Sequence, residues 1–145
     1  MYHRFGENKY PSTNIREEQL VSHLEYLKDQ GFNFILARDL LFEDKLQKKT
    51  ISITVDDAYL SFFEVGLPIF EKYEIPVTLF LNTENVGGQN YMNWTQLKSV
   101  LSRGVDIQNH THLSLIHISE HTRQVLSAYA VCCWNTGGGG GGGGG

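Results

Sequence analysis

Proline, cysteine and clustered positive charge are all scarce in this chain. Only 3 prolines and 2 cysteines occur among its 145 residues. The two cysteines are neighbours, Cys132 and Cys133. Adjacent thiols seldom bridge each other, so no disulfide framework is expected and the redox compartment is not legible from them. The formal net charge is −4. With no basic stripe to neutralise phosphates, nucleic acid and an anionic membrane surface are disfavoured as partners. No stretch is long and apolar enough to span a bilayer. Residues 1–15 also show no basic start followed by an apolar core, the pattern of a secretory leader. What is present is ordinary: 41% hydrophobic and 19% charged residues, as in a globular protein, at a length that suits one domain. Nothing in the sequence points to a protein partner.

Residues 1–112 alternate between strand and helix patterns. Met1–Phe5 reads as a short strand and Gly6–Thr13 as a loop around Pro11. Asn14 and Glu17 have capping-box spacing before the helical stripe Leu20, Leu24, Leu27, and Gly31 stands where a helix is expected to stop. Phe32–Leu36 is a short apolar strand, and Ala37–Leu46 reads as a short helix before the basic loop Gln47–Lys49. Ile51–Val55 is the pattern of a buried strand. Leu60, Phe63, Leu67 and Phe70 then recur at helical spacing, with a kink or break expected at Pro68. Val77–Leu81 is a further strand, Asn82–Tyr91 a loop, and Asn93 with Gln96 a second capping box before Leu97, Val100 and Leu101. Gly104 closes that helix and Val105–Gln108 opens another strand. Alternation of this kind predicts parallel strands joined by crossover helices, an α/β sheet or part of a barrel.

Residues 113–145 do not continue the pattern. The string Leu113–Glu120 resembles the translation of a transposase-type sequencing adapter, and the chain ends in the homopolymer Gly137–Gly145. The expectation is a tail foreign to the domain; the alternative is a natural linker. Either way, consecutive glycines bury no side chain and lose much entropy on ordering, so a disordered tail is expected. His117, His121, Cys132 and Cys133 are therefore given no role. Setting the tail aside removes one acid, Glu120, and one base, Arg123, and leaves the charge at −4.

Two features carry chemistry. Thr54-Val55-Asp56-Asp57-Ala58-Tyr59 places two neighbouring acids at the end of a buried apolar strand. Buried carboxylates need hydrogen bonds, a counter-charge or a cation, and α/β folds bind ligands at the carboxyl ends of their strands. One of the two acids capping the next helix is an equal reading. Gln108-Asn109-His110-Thr111-His112 also follows an apolar strand. By itself a His-x-His is commonly two solvated loop histidines. With the acid pair it suggests a site for Zn²⁺ or a similar first-row ion. His3 can either reach the mouth of a barrel or serve as a packed or exposed structural histidine. Trp94 can stack on a sugar ring or start a helix partly buried. Phe62, Phe63, Phe70 and Phe80 read as core, and Lys45, Lys48 and Lys49 as a solvated loop face. A glycosidase using Asp56 and Asp57 as its two carboxylates is disfavoured, because sequence neighbours on a strand face different ways.

Ile53–Tyr59 resembles the first motif of the polysaccharide deacetylase family (the NodB-homology domain, carbohydrate esterase family 4), and Asn109-His110-Thr111 resembles the start of its second. Tyr2-His3-Arg4, Pro76–Phe80 and Asn93-Trp94 also resemble family members, so the likeness covers nearly all of residues 1–112. The resemblance implies a partial (truncated), distorted (β/α) barrel over residues 1–112, with 113–145 as the tail. It implies Asp56 as catalytic base, Asp57 and His110 as ligands of a divalent metal such as Zn²⁺, and an acetylated polysaccharide as substrate. It further implies a parent enzyme outside the cytoplasm or at the cell envelope. Two departures stand out: Ala58 replaces the family glycine, and position 114, where the pattern places a second histidine, holds Ser114. The later motifs, with an arginine, a tryptophan-lined pocket and a histidine acid, have no counterpart. The chain is therefore expected to be inactive by itself. A non-catalytic glycan-binding or scaffold domain of the same fold is the alternative.

Overall fold

The computed structural model describes residues 1–41 and 48–109. The expected tail, the last part of the Ala37–Leu46 helix, and His110 lie outside the described residues. Within them the element order is β1 (Arg4–Phe5), β2 (Asn14–Ile15), α1 (Glu17–Asp29), β3 (Asn33–Phe34), β4 (Thr50–Ile51), β5 (Ile53–Asp56), α2 (Leu67–Lys72), β6 (Val77–Leu81), α3 (Trp94–Ser102) and β7 (Asp106–Asn109). Every pair of strands is parallel: β1 with β2, β3 with β4, and β5–β6–β7 as a three-stranded sheet. Tyr2 adds a parallel bridge to Val55 on β5. The fold is thus α/β with crossover connections, as the alternating pattern implied.

The register sorts the sheet into two faces. Ile53 faces Val77, and Val55 lies level with Leu79 and Ile107. One residue along, Thr54 is level with Thr78 and Asp106, and Asp56 with Phe80 and Gln108. Side chains alternate along a strand, so one face is aliphatic and the other is polar apart from Phe80. On the polar face Thr54, Asp56, Thr78 and Asp106 are buried, Phe80 and Gln108 partly so, and the face is hydrogen-bonded. The Ala37 N–H donates to Thr78 Oγ1 (3.0 Å), Arg38 pairs with Asp106 (3.0 Å), and Gln108 Nε2 donates to Asp106 Oδ2 (3.0 Å).

Two sequence expectations shift. Helix α1 is capped from Arg16, whose N–H donates to Gln19 Oε1 at 3.3 Å, and not from Asn14. Asn14 lies in β2, where its side chain accepts from the Glu7 N–H (3.0 Å) and donates to the Glu7 carbonyl (2.6 Å). An amide satisfies both backbone groups of the loop there, whereas at an N-cap its oxygen alone would be used. The Leu60–Phe70 stripe also does not form one α-helix. A wide π-turn, Phe62–Gly66, precedes α2, so Pro68 falls in the first turn of α2, where its missing N–H costs little.

The core joins this turn to the N-terminal segment. Phe5, Phe62 and Phe70 are buried, with ring centroids 5.8–6.4 Å apart, and Tyr2 packs on Phe5 at 5.9 Å. Gly66 lies flat beneath the Phe5 ring: a Cβ there would come within 3.0 Å of the ring carbons. Gly66→Ala should therefore cost about 1–3 kcal/mol through overpacking. Urea unfolding checks this, and Phe5→Leu in the same chain should recover part of the loss. An unchanged midpoint for Gly66→Ala would contradict the packing.

Candidate functional site at the carboxyl edge of the sheet

Strand β5 is buried along its whole length, and the chain leaves it through Asp56 and Asp57. The Tyr2 bridge brackets its end: the Tyr2 N–H donates to the Thr54 carbonyl (2.8 Å) and the Asp56 N–H to the Tyr2 carbonyl (2.9 Å). This seats His3 next to Asp56, with His3 Nε2 3.8 Å from Asp56 Oδ2. The Asp56 side chain is 8% exposed and that of His3 26%. A buried carboxylate therefore lies near a partly exposed imidazole, at a separation longer than a hydrogen bond.

Asp57 turns elsewhere. Its N–H donates to the Phe80 carbonyl (2.9 Å), and its φ is +69°; Ala58 follows at +55°. Two successive left-handed residues are rare without glycine, and each costs roughly 1–2 kcal/mol. The buried Ala58 thus occupies a conformation that glycine adopts without strain. The turn is held from the far side by the loop before α3: the Met92 N–H donates to the Ala58 carbonyl (3.0 Å) and the Leu60 N–H to the Asn90 carbonyl (2.8 Å).

An aromatic and cationic group surrounds it. Tyr59 and Tyr91 stack with centroids 4.7 Å apart, and the Tyr91 hydroxyl donates to that of Tyr59 (3.4 Å). The Arg4 guanidinium lies 3.6 Å from the Tyr59 ring centre and 4.4 Å from that of Tyr10, and pairs with Glu7 at 2.9 Å. Burial opposes the charge on Arg4, but the Glu7 carboxylate and the Tyr59 hydroxyl outweigh it, so its pKa is raised. The Tyr91 phenol is pushed up to about 12, first by burial, then by its hydrogen bond to Tyr59, with the charge of Asp57 adding and that of Arg4 opposing. The two acids thus part at the turn: Asp56 keeps its strand position near His3, and Asp57 stands on the left-handed turn that leads to the Tyr59–Tyr91 bridge.

Of the residues named from the sequence, the structure brings Asp56 and Asp57 to the carboxyl edge as separate groups and adds His3 to Asp56. It starts α3 at Trp94, which is 58% exposed rather than partly buried. Among the described residues no three His, Cys, Asp or Glu side chains form a metal-binding group. Asp57, an oxygen donor at a strand end, fits a divalent cation in kind. Strand β7 ends two strands away at Asn109, the residue before His110. Arg4, Tyr59 and Tyr91 were missed. The first two adjoin His3 and the acid pair, but no sequence signal joins Tyr91 to them.

The folded protein favours the protonated Tyr91 phenol, because its pKa is raised above the usual value of about 10. That contribution to stability should be complete below about pH 10 and lost as pH passes about 12. A near-ultraviolet titration of the protein minus that of Tyr91→Phe should centre near 12. A difference centred near 10 would contradict the placement.

A family model described as polysaccharide deacetylase matches residues 43–130. The chain is 25% identical over 130 residues to YxkH of Bacillus subtilis (strain 168), covering 86% of this chain and 46% of that protein. It is 28% identical over 122 residues to the poly-β-1,6-N-acetyl-D-glucosamine N-deacetylase of Staphylococcus aureus (strain MSSA476), covering 78% and 42%. It thus spans less than half the length of these relatives. Among solved structures it is similar to the Streptococcus pyogenes deacetylase PplD in complex with acetate (TM-score 0.66, 25% identity, 77% of this chain and 54% of that one). It also shares its fold with IcaB from Ammonifex degensii (TM-score 0.66, 24% identity, 75% and 50%). With more than half of its residues inside the family match, and the acid-pair strand within them, this chain belongs to the polysaccharide deacetylase family.

Proposed function

We propose that this chain carries the base and part of the cation site of a metal-dependent hydrolase that removes acetyl groups from an N-acetylated amino-sugar polysaccharide, on part of a distorted (β/α) barrel. The observation that carries the reading is the parting of two adjacent acids: Asp56 toward His3, and Asp57 onto a left-handed turn on the Tyr91 side. Two carboxylates in different surroundings can take different roles.

Asp57, with His110, would hold a divalent cation such as Zn²⁺, which when bound supplies Lewis acidity and positive charge for the developing oxyanion. Asp56 takes the proton as water attacks the acetyl carbonyl carbon. The carbon–nitrogen bond then breaks and acetate leaves. The departing amine takes up a proton from an acid outside the motifs this chain matches. The name of the S. aureus relative makes a β-1,6-linked N-acetylglucosamine polymer the first substrate to try. Ser114 occupies the position of the family's second histidine, so we expect weak cation binding and no measurable turnover from this chain alone.

Calorimetric titration with Zn²⁺ tests the assignment. Asp57→Ala should lower the affinity about tenfold or more, the scale of a disrupted metal site, whereas Asp56→Asn should stay close to the parent. Equal affinities for the parent and Asp57→Ala would remove Asp57 as a ligand. Zinc-supported deacetylation of an N-acetylglucosamine oligomer that disappears with Asp57→Ala would contradict the expected inactivity. Oligomer binding that is indifferent to cations would favour a glycan-binding module instead.

A further inference from the structure

The turn after β5 is strained, and nothing within it explains why it holds. Asp57 and Ala58 both lack glycine's freedom yet sit at φ +69° and +55°. Their surroundings supply the explanation. On the β5 side the Asp57 N–H is fixed to the Phe80 carbonyl. On the other side the next residue, Tyr59, is fastened three times: by an antiparallel backbone bridge to Tyr91, by its ring stack on Tyr91, and by the Arg4 guanidinium over its ring. Arg4 is itself fixed. Its side chain is 12% exposed, ion-paired with Glu7, and anchored in β1. Because His3 precedes Arg4, the same anchor also sets the strand that carries the imidazole to Asp56.

From this we infer that Arg4, Tyr59 and Tyr91 are positioning residues: their cation–ring and ring–ring contacts hold the Asp57–Ala58 turn in its left-handed form and so fix where the Asp57 carboxylate points. The Met92 N–H on the Ala58 carbonyl pins the turn through the backbone. Without the ring and cation contacts that seat the Tyr91 loop, that bond is loosened, the backbone relaxes toward negative φ, which an alanine prefers, and the Asp57 side chain swings away. Glycine at position 58 would remove the preference for leaving. The consequence for cation binding rests on the proposed role of Asp57; the clamp itself does not.

Backbone dihedrals of Asp57 and Ala58, measured by NMR from chemical shifts and HN–Hα couplings, test the clamp directly. Tyr91→Phe keeps the ring stack and should leave both residues at positive φ. Tyr91→Ala should move them to negative or averaged φ, and adding Ala58→Gly should restore the turn. A general packing defect would not be rescued by that second change. Arg4→Gln, which keeps β1 but removes the cation from the Tyr59 ring, should loosen the turn in the same direction and decides the matter if Tyr91→Ala does not fold. A folded Tyr91→Ala or Arg4→Gln with Asp57 and Ala58 still at the parent φ would overturn the inference. Paramagnetic broadening of the Asp57 amide by Mn²⁺ should need about tenfold more ion in Tyr91→Ala and recover in the double variant. No broadening in the parent would strike the cation reading alone, because the dihedrals judge the clamp independently.

Discussion

Two successive carboxylates end the buried strand β5, and the backbone there sends them apart. Held side by side in a low-dielectric setting, two like charges would repel, and one would have to take up a proton. The backbone at the end of β5 provides the separation. Asp56 keeps strand geometry and stays inside, level with Phe80 and Gln108. Asp57 enters the left-handed region and leaves the sheet. Much else in this part of the molecule serves that change of direction: the Tyr2 bridge that closes the open side of β5, the loop before α3 whose Met92 amide and Asn90 carbonyl grip the turn, and the ring and cation contacts around Tyr59.

The pieces that meet there are distant in sequence. The N-terminal segment arrives because Tyr2 and Phe5 pack into the aromatic group with Phe62 and Phe70, and Gly66 leaves room for the Phe5 ring. Between the two anchors Tyr2 and Phe5, His3 is then set near Asp56 and Arg4 over the Tyr59 ring. Packing chemistry on one side of β5 thus positions polar chemistry at its end, and the strain of the turn is borne by contacts outside it.

Much of this was legible in the sequence where the signal was local. The alternation of strand and helix gave the parallel α/β order, Val77–Leu81 was read at its observed limits, and the Asn93–Gln96 box caps α3 as its spacing implied. The acid pair at a strand end was visible because an apolar β-branched run leads into it. What stayed hidden depends on partners far along the chain. Asn14 had the spacing of a cap but serves the Glu7 backbone. His3 was left between a functional and a structural reading because only the Tyr2 bridge puts it at Asp56. Tyr91 carried no mark at all, since its role comes from a loop folding back on a turn. Periodicity and spacing describe faces and ends of elements; they do not say which loop closes over which.

In the proposed reading Asp56 and Asp57 have different tasks, and of the two only Asp57 holds the cation. The most direct measurement is carbon NMR of the two side-chain carboxyl groups as Zn²⁺ is added. The Asp57 carboxyl resonance should move with the ion while that of Asp56 keeps its metal-free position. If the Asp56 resonance moved and that of Asp57 did not, or if the two moved together, the division of labour at the end of β5 would be wrong.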